Sequence, residues 1–417
     1  MNIVMGLVGM LSLILIAVVF SSNRKAIKLR TVAGAFLLQA SIPAFVMFTS
    51  SGASVLRGIS NGVQAVIDSA KAGISFLFGP LASARMPELF DGNGFVFAFS
   101  VLPIIIFFAS LMATLYYLGI MQWIIQVFGG ALQKLLGTSR TESMSAAANV
   151  FVGSTEAPLM VKPYISGMTR SELFAVMTGG LSSVAGAVLA GYAELGISLD
   201  YLIAASFMAA PGGILMAKLM EPETDTPRDG IADITEADEF KDDEPVNVID
   251  AAALGASSGL KLALNVGAML IAFIALIALL NTIVGTLGGF VGMGTLTIQQ
   301  ILGYLFAPVA FIIGIPWDEA VQAGSFLGQK LVVNEFVAYI DFVAVKDDIS
   351  AHSQAIITVA LCGFANFSSM AILLGGLGVM SPTRRPDIAQ MGLKAVMAGT
   401  LSNFMSASLV GLCISLG

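Results

Sequence analysis

Long apolar runs alternate with short polar loops along most of the chain. Residues 2–20 and 31–49 form the first two runs, and similar runs cover residues 95–120, 172–194, 199–219, 260–284, 353–381 and 392–417. A transmembrane α-helix needs about 20 mostly apolar residues. The pattern therefore predicts an all-α polytopic membrane protein with about eight spanning helices.

The loops between these runs carry basic residues that predict an orientation. Arg24, Lys25, Lys28 and Arg30 separate the first two runs, and short loops rich in Lys and Arg stay in the cytoplasm. Later basic residues fall on the same side when the runs are counted: Lys134, Arg140, Arg170, Lys218, Arg384, Arg385 and Lys394. Both termini are then expected outside. A basic loop, not a small-residue cleavage site, follows residues 2–20, so this run is expected to be a membrane helix rather than a signal peptide.

Two further segments, 52–76 and 123–136, are amphipathic. In the first, Arg57, Asp68 and Lys71 lie opposite apolar residues at helical spacing, namely Val55, Leu56, Ile59, Val63, Val66, Ile67 and Ile74. Such a helix can lie at the membrane interface or pack on a neighbouring helix. The sequence leaves both alternatives open.

Composition supports the membrane assignment. The chain is 57% hydrophobic and only 11% charged, whereas soluble domains carry about 25% charged residues. This excludes a soluble enzyme, a nucleic-acid binder and a secreted disulfide scaffold. The net charge of −7 arises in residues 221–250, which hold 12 of the 27 acidic and 2 of the 20 basic residues and predict a solvated linker. Cys362 and Cys413 are expected to be buried thiols, and a single histidine, His352, excludes any site that needs two imidazoles.

One apolar segment is too short to cross the membrane. Residues 142–153 would form about 18 Å of helix at 1.5 Å per residue, against a hydrocarbon core about 30 Å thick. Gly153 and Pro158 bracket a break, after which a second short helix can return over residues 157–165. We expect a re-entrant hairpin whose tip, near the bilayer midplane, carries Thr155 and Glu156.

A second segment of this kind covers residues 317–345. It contains Asn334 and Glu335 in an otherwise apolar stretch, with Lys330 close before them. A carboxylate at mid-membrane depth costs a few kcal/mol and usually marks a pathway or a binding site. The alternative is that Glu156 and Glu335 face a water-filled vestibule or pair with a lysine.

The helices after the two segments resemble each other. Residues 179–186 and 362–369 each place Gly, Ser-Ser and Ala at the middle of an apolar run, and one more helix follows each run. The order hairpin–helix–helix thus occurs twice, and an odd number of crossings between the copies would invert them. Secondary transporters use such inverted repeats and bind their substrates at broken helices near the midplane.

Three motifs carry a family resemblance. They are Gly153-Ser154-Thr155-Glu156-Ala157-Pro158-Leu159, Asn334-Glu335-Phe336-Val337-Ala338-Tyr339 and Cys362-Gly363-Phe364-Ala365-Asn366-Phe367-Ser368-Ser369. These closely resemble signatures of the concentrative nucleoside transporters, and the similarity runs nearly end to end, most like the short bacterial members with eight helices. The resemblance implies a cation-driven nucleoside importer of the bacterial inner membrane, assembled as a homotrimer, with no nucleic-acid partner.

The resemblance also implies a division of the chain. Residues 1–137 would form a scaffold of helices 1–3 with interfacial helices, and residues 251–315 would add the sixth helix and an interfacial segment. The hairpins and their following helices, 138–220 and 316–417, would form a moving transport domain, with the acidic cytoplasmic linker at 221–250.

Site roles follow from the same resemblance. Nucleobase binding is expected at Gly153, Ser154, Thr155, Glu156 and Val188. Ribose binding is expected at Glu335, Asn366 and Ser369, with Phe364 packed against the nucleoside. A sodium ion is expected at Asn149, Val152, Ser183 and Val184, and no other cofactor is expected. The family usually has glutamine where this chain has Ser154, which predicts a shifted or broadened base preference, towards purine nucleosides, with lowered uridine affinity.

Other functions stay open at this point. The carrier could couple to protons, with Glu156 or Glu335 titrating, or carry a free nucleobase or a modified nucleoside. A channel is disfavoured by the duplicated hairpins. Residues 255–259 match the GxSxG pattern of serine hydrolases, but that motif needs a strand-to-helix elbow and a catalytic triad. Here it lies in a helix-prone segment, so we expect its small residues to serve close packing and the protein not to be an enzyme.

Overall fold

Helices account for nearly all regular structure in the computed structural model, which describes residues 2–82, 96–154, 156–227, 245–290 and 292–417, and no described residue is in a β-strand. The principal helices are α1 Asn2–Val19, α2 Leu29–Phe48, α3 Ser50–Phe78, α4 Leu102–Tyr117, α5 Ile120–Leu136, α6 Arg140–Ala148, α7 Arg170–Ser182, α8 Gly186–Glu194, α9 Leu199–Met220, α10 Val248–Gly289, α11 Ile298–Ile312, α12 Trp317–Val332, α13 Glu335–Val345, α14 Ala351–Leu361, α15 Phe367–Met380 and α16 Arg385–Leu416.

The predicted all-α membrane architecture is confirmed. By length and apolar composition alone, seven helices of the described residues could cross a membrane. That number includes the amphipathic α3 and omits α1 and the broken pair α14–α15, because these are shorter. Eight spans result when α7–α8 and α14–α15 each count as one and α3 is set aside. Gly6 of α1 lies beside Leu412 of α16, so the two ends of the chain are on the same side of the bundle.

The first hairpin differs in detail from the prediction. Its descending helix α6 ends at Ala148 rather than at Gly153. The amides of Val150 and Phe151 then bond to carbonyls only three residues back, Ala147 and Ala148, in tighter turns. The returning segment, Ala157–Gly167, is a 3₁₀ helix that contains Pro158 and Pro163. Pro163, inside this segment, lacks the N–H that a regular α-helix requires, whereas Pro158 is in the first turn, where proline is tolerated. The non-helical tip is therefore longer than the sequence indicated.

Both spans that follow a hairpin are broken in the middle. The run 172–194, which is uncharged between its two terminal glutamates, divides at Ser183 into α7 and α8. The run 353–381 divides between Leu361 and Phe367 into α14 and α15. The amide of Phe364 donates to the Ser183 carbonyl over 3.2 Å, so the two breaks touch. With the single long helix α10 between the copies, the second repeat is inverted relative to the first.

Asn403, in the middle of α16, holds both breaks. Its Nδ2 donates to the Ser182 carbonyl over 2.6 Å and to the Cys362 carbonyl over 3.0 Å. These are carbonyls at the ends of α7 and α14. One amide side chain thus satisfies backbone groups from both repeats, which an interior without water requires.

The helix α10 is longer than the predicted span 260–284. It has 42 residues, about 63 Å at 1.5 Å per residue. A Cβ added at Gly255 would lie 2.6 Å from Ala113 Cβ, and one at Gly259 would lie 2.7 Å from Ala109 Cβ. The GxSxG sequence therefore serves close packing of α10 on α4, as small residues do in membranes, and forms no strand-to-helix elbow.

The amphipathic helix α3 packs on its neighbours. Ile67, Ala70 and Ile74 are buried in a cluster with side chains of α4 and α8. On its polar side, Lys71 Nζ lies 3.0 Å from Glu194 and 3.2 Å from Asp68. This helix therefore packs on neighbouring helices, which is one of the two alternatives that the sequence left open for it.

Hairpin 1 consists of α6 and the returning segment Ala157–Gly167. Charged side chains concentrate at the start of this hairpin, at the start of α7 and at the end of α9. Lys218 Nζ lies 2.6 Å from Glu142 Oε2 and donates to Ser171 Oγ over 2.9 Å. Glu221 pairs with Arg170 over 3.2 Å and with Lys394 over 2.7 Å. Glu221 is the first residue of the predicted acidic linker, so that end is fixed to the helices, while residues 228–244 lie outside the described residues.

Replacing Lys218 with methionine should destabilise the protein by about 3–5 kcal/mol, because removing one partner of a buried ion pair leaves the other charge uncompensated. Glu142 and Lys218 side chains are 2% and 8% exposed. The thermal unfolding midpoint of detergent-purified protein measures the effect. Lys25→Met, at an exposed position, is the control and should change stability by less than about 0.5 kcal/mol. Equal midpoints for both variants would contradict the importance of the buried pair.

Candidate functional site

A cavity of about 600 Å³ lies where the two hairpin tips meet the two broken helices. Eight of the residues predicted to contact a nucleoside line it: Gly153, Ser154, Glu156, Val188, Glu335, Phe364, Asn366 and Ser369. Thr155, the ninth, lies outside the described residues. Residues about 180 positions apart in the sequence are thus brought to one cavity, whose volume falls in the range of small-molecule sites.

Glu335 is held at the start of a helix. Asn334 precedes it as the N-cap of α13, and its Oδ1 accepts a hydrogen bond from the Val337 amide over 3.0 Å. The Glu335 side chain is buried, with Oε1 accepting from Tyr192 Oη over 2.9 Å and Oε2 accepting from Asn366 Nδ2 over 3.0 Å. An acidic residue in the first turn of a helix is also stabilised by the helix dipole.

Asn366 is fixed in the same way at the start of α15. Its Oδ1 accepts from the Ser369 amide over 2.9 Å and from Ser368 Oγ over 2.7 Å. Capping therefore occupies the amide oxygen, while the amide nitrogen has two protons and gives one to Glu335. Ser369 Oγ bonds to Asn366 Oδ1 over 2.9 Å and also to the Phe364 carbonyl. These contacts orient the donors and acceptors that line this side of the cavity.

Three residues at the site were missed by sequence reasoning. Tyr192 bonds to Glu335, and its ring lies 4.7 Å from that of Phe336. Lys261 and Asn265 of α10 line the opposite wall. A lysine inside an apolar run was a signal for Lys261. Nothing in the sequence distinguished Tyr192, since its partner lies 143 residues away.

The four residues predicted to hold a cation lie next to this cavity rather than in its lining. Asn149, Val152, Ser183 and Val184 are buried where hairpin 1 meets the break between α7 and α8. Asn149 Nδ2 donates to the Ser145 carbonyl over 2.9 Å, but its Oδ1 is buried without a hydrogen-bond partner. An unpartnered buried oxygen is costly unless something binds it.

The chemistry of this set fits an alkali cation. Its donors are neutral side-chain oxygens and backbone carbonyls, and hard cations prefer oxygen ligands. No group of three or more His, Cys, Asp or Glu side chains suited to a metal ion occurs among the residues that the structure describes. Asn149, Val152, Ser183 and Val184 would hold sodium at the junction of hairpin 1 with the broken helix.

Family profiles match along most of the chain. The profile described as Na⁺ dependent nucleoside transporter C-terminus matches residues 201–411, the corresponding N-terminus profile matches 8–81, and a nucleoside recognition profile matches 98–199. The first alone covers half of the sequence.

Individual proteins are similar over nearly the whole length of this chain. The nucleoside permease NupC of Helicobacter pylori is 52% identical, with 98% of this chain and 97% of that protein covered. Sodium/nucleoside cotransporter 1 of Mus musculus is 38% identical, with 94% of this chain and 61% of that protein covered. A solved structure of CNTnw in an inward-facing substrate-bound state is 56% identical, with a TM-score of 0.95 and 100% and 99% of the two chains covered.

These homologues are transporters and permeases, not enzymes. The resemblance drawn from the three sequence motifs is therefore confirmed. The protein is a multi-pass membrane transporter that belongs to the concentrative nucleoside transporter family.

Proposed function

We propose that this protein imports nucleosides across the bacterial inner membrane by symport with sodium. The observation that carries the proposal is the position of the Glu335–Asn366 pair. It lines a cavity of nucleoside size, and Asn149, with its unpartnered oxygen, lies beside that cavity. A substrate site and a cation site that share hairpin 1 can influence each other, which symport requires.

The ribose binds on the side formed by α15 and hairpin 2, the pair of helices α12 and α13. Glu335 accepts hydrogen bonds from two vicinal hydroxyls, and the free proton of the Asn366 amide donates to one of them. Tyr192 Oη donates a hydrogen bond to the carboxylate over 2.9 Å and keeps it in place. Phe364 packs against the nucleoside, and Ser369 adds a hydroxyl. A substrate without a ribose would leave these buried polar groups unpaired, so the site favours nucleosides over free bases.

The base binds on the opposite side, at the tip of hairpin 1. Ser154 and Glu156 offer polar atoms there, with Gly153 and Val188 completing the surface, and Thr155 belongs to the same tip. Ser154 is buried and lies close to α7: a Cβ added at Gly180 would be 3.0 Å from Ser154 Cβ. Because serine is short, water contacts the base edge that a longer side chain would reach, and the remaining space accommodates larger bases.

Sodium binds at Asn149, Val152, Ser183 and Val184 and orders the tip of hairpin 1. This order extends to the base side of the cavity because Gly153 and Ser154 directly follow Val152. An ion bound there raises nucleoside affinity, and by linkage the nucleoside raises ion affinity to the same degree. The inward sodium gradient then drives uptake.

Residues 138–220 and 316–417 move as a transport domain against a scaffold of residues 1–137 and 251–315. Supporting contacts join the two repeats, including those of Asn403 and a 2.5 Å bond from Arg384 Nη1 to the Met168 carbonyl. The protein assembles as a homotrimer, with both termini outside and the linker 221–250 in the cytoplasm.

Uptake of radiolabelled uridine and adenosine into proteoliposomes tests the function. Accumulation above the external concentration is expected with an inward sodium gradient, and it should collapse when potassium replaces sodium on both sides. Uptake driven equally well by a proton gradient without sodium would overturn sodium coupling. Uptake that only equilibrates under all gradients would indicate a channel.

Glu335→Gln should lower nucleoside affinity at least about 100-fold, since a hydrogen bond to a charged group contributes about 1.5–3 kcal/mol and two are weakened. Isothermal titration of detergent-purified protein in sodium buffer measures the affinity. Glu319→Gln is the control, because Glu319 is at the start of α12 and bonds to Ser350 instead. Wild-type affinity in the Glu335 variant would show that the carboxylate does not bind the ribose.

Ser154→Gln should raise uridine affinity and lower adenosine affinity, each by about 2–10-fold, the range of one neutral hydrogen bond of about 0.5–1.5 kcal/mol. The longer amide reaches the base edge and fills the space that a purine uses. Competition of both nucleosides against labelled uridine reads out the change. If neither affinity moves, residue 154 does not select the base.

A further inference from the structure

The second repeat contains a buried lysine that the proposed function does not use. Lys330 lies in the last turn of α12 and is 1% exposed. Its Nζ donates to the Ala360 carbonyl over 2.7 Å and to Asn403 Oδ1 over 2.8 Å. None of the ion pairs found among the described residues includes Lys330. Neutral oxygens therefore hold the ammonium group.

Those oxygens belong to the broken end of a helix. Ala360 is in the final turn of α14, whose last carbonyls have lost their helical partners and carry partial negative charge. Asn403 bonds to the Cys362 carbonyl at the same break. A Cβ at Gly363 would lie 2.3 Å from Asn403 Oδ1, so the break fits closely around this amide. The ammonium group fills a position suited to a cation.

The first repeat also brings the end of its hairpin helix to a broken helix, but with no basic residue at that end. Its hairpin helix α6 ends at Asn149, next to α7 as α7 approaches its break: a Cβ at Gly179 would lie 3.1 Å from Asn149 Nδ2. The side chain at this end is the amide of Asn149, and its Oδ1 has no partner. Each repeat brings a hairpin end to the carbonyl end of a broken helix, and half-helix C-termini of this kind coordinate cations in transporters.

We propose that the Lys330 ammonium is a tethered counterpart of the sodium ion, occupying in the second repeat the position that sodium takes in the first. This rests on the proposed sodium coupling. The second position needs no ion from solution, because its charge is part of the chain. One sodium ion therefore binds per transport cycle, and hairpin 2 stays attached to α14 and α16 whether or not sodium is present.

The proposal predicts different sodium responses for two variants of Lys330. Lys330→Ser leaves space and a hydroxyl for a second sodium ion. It should lower the thermal midpoint in potassium buffer and raise the Hill coefficient for sodium stabilisation from about 1 towards 2. Lys330→Met fills the space with apolar atoms and should lower nucleoside affinity at least 10-fold at every sodium concentration. Lys134→Met, at an exposed position, is the control and should behave like the wild type.

The measurements are thermal midpoints and nucleoside titrations of detergent-purified protein, with sodium exchanged for potassium at constant ionic strength. Wild-type midpoint, affinity and sodium response in Lys330→Met would overturn the proposal, as would an unchanged Hill coefficient in Lys330→Ser. If the wild type itself does not respond to sodium, sodium coupling fails. If it responds and the variants match it, only the role of Lys330 fails.

A mirror variant decides the question even if both Lys330 variants fail to fold. Asn149→Lys places an ammonium group in the first repeat, where sodium is proposed to bind. Its nucleoside affinity and thermal midpoint should become independent of sodium. A sodium response equal to that of the wild type would overturn the equivalence of the two positions.

Discussion

A helix that breaks inside a membrane leaves backbone groups without partners, and satisfying those groups is the constraint on which this structure depends. Lipid offers no hydrogen bonds, so irregular backbone persists at depth only where protein or a polar cavity receives it. Asn403 receives the Ser182 and Cys362 carbonyls. The Gly186 amide bonds to the Phe151 carbonyl over 3.1 Å, and the Phe364 amide bonds to Ser183. The breaks therefore satisfy each other, and the two repeats form one unit.

The same constraint prepares the cavity. Asn334 and Asn366 cap α13 and α15, so their oxygens are used by backbone amides, and the Asn366 nitrogen remains directed at Glu335. A side chain held by a cap loses less entropy when a ligand binds than a mobile one does. Glu335 is held from two sides by Tyr192 and Asn366 before any ligand arrives. Capping and recognition thus use the same residues.

The sequence was sufficient for the architecture and for most of the cavity. Charges are so scarce that Glu156 and Glu335, each in a short apolar segment, stood out, and both line the cavity. The ends of the helices were less predictable: α6 ends at Ala148, five residues before Gly153, because its end depends on contacts with a distant break. The roles of Tyr192 and Asn403 could not be predicted either, because their hydrogen-bond partners come from other repeats or other helices. The length of α10 was also underestimated, since residues 248–259 at its start are mostly Ala, Gly and Ser, which do not form a long run of large apolar side chains.

The two sides of the cavity are attached to the rest of the protein in different ways. Hydrogen bonds of Asn403 and Arg384 join hairpins and broken helices across both repeats, and a bond from Lys330 to Asn403 adds a link within the second repeat. The opposite wall, α10, bonds to Ser110 of α4 through the Ala252 carbonyl, and Asn281 bonds to Gln299 and the Ile298 amide of α11. It lines the cavity mostly with small and apolar side chains, and with the polar side chains of Lys261 and Asn265. Sliding one packed surface past another breaks few directional bonds, whereas separating the repeats would expose carbonyls to lipid. The domain motion proposed above would therefore break few hydrogen bonds if it runs along α10, and a nucleoside bound between the hairpin tips would travel with them.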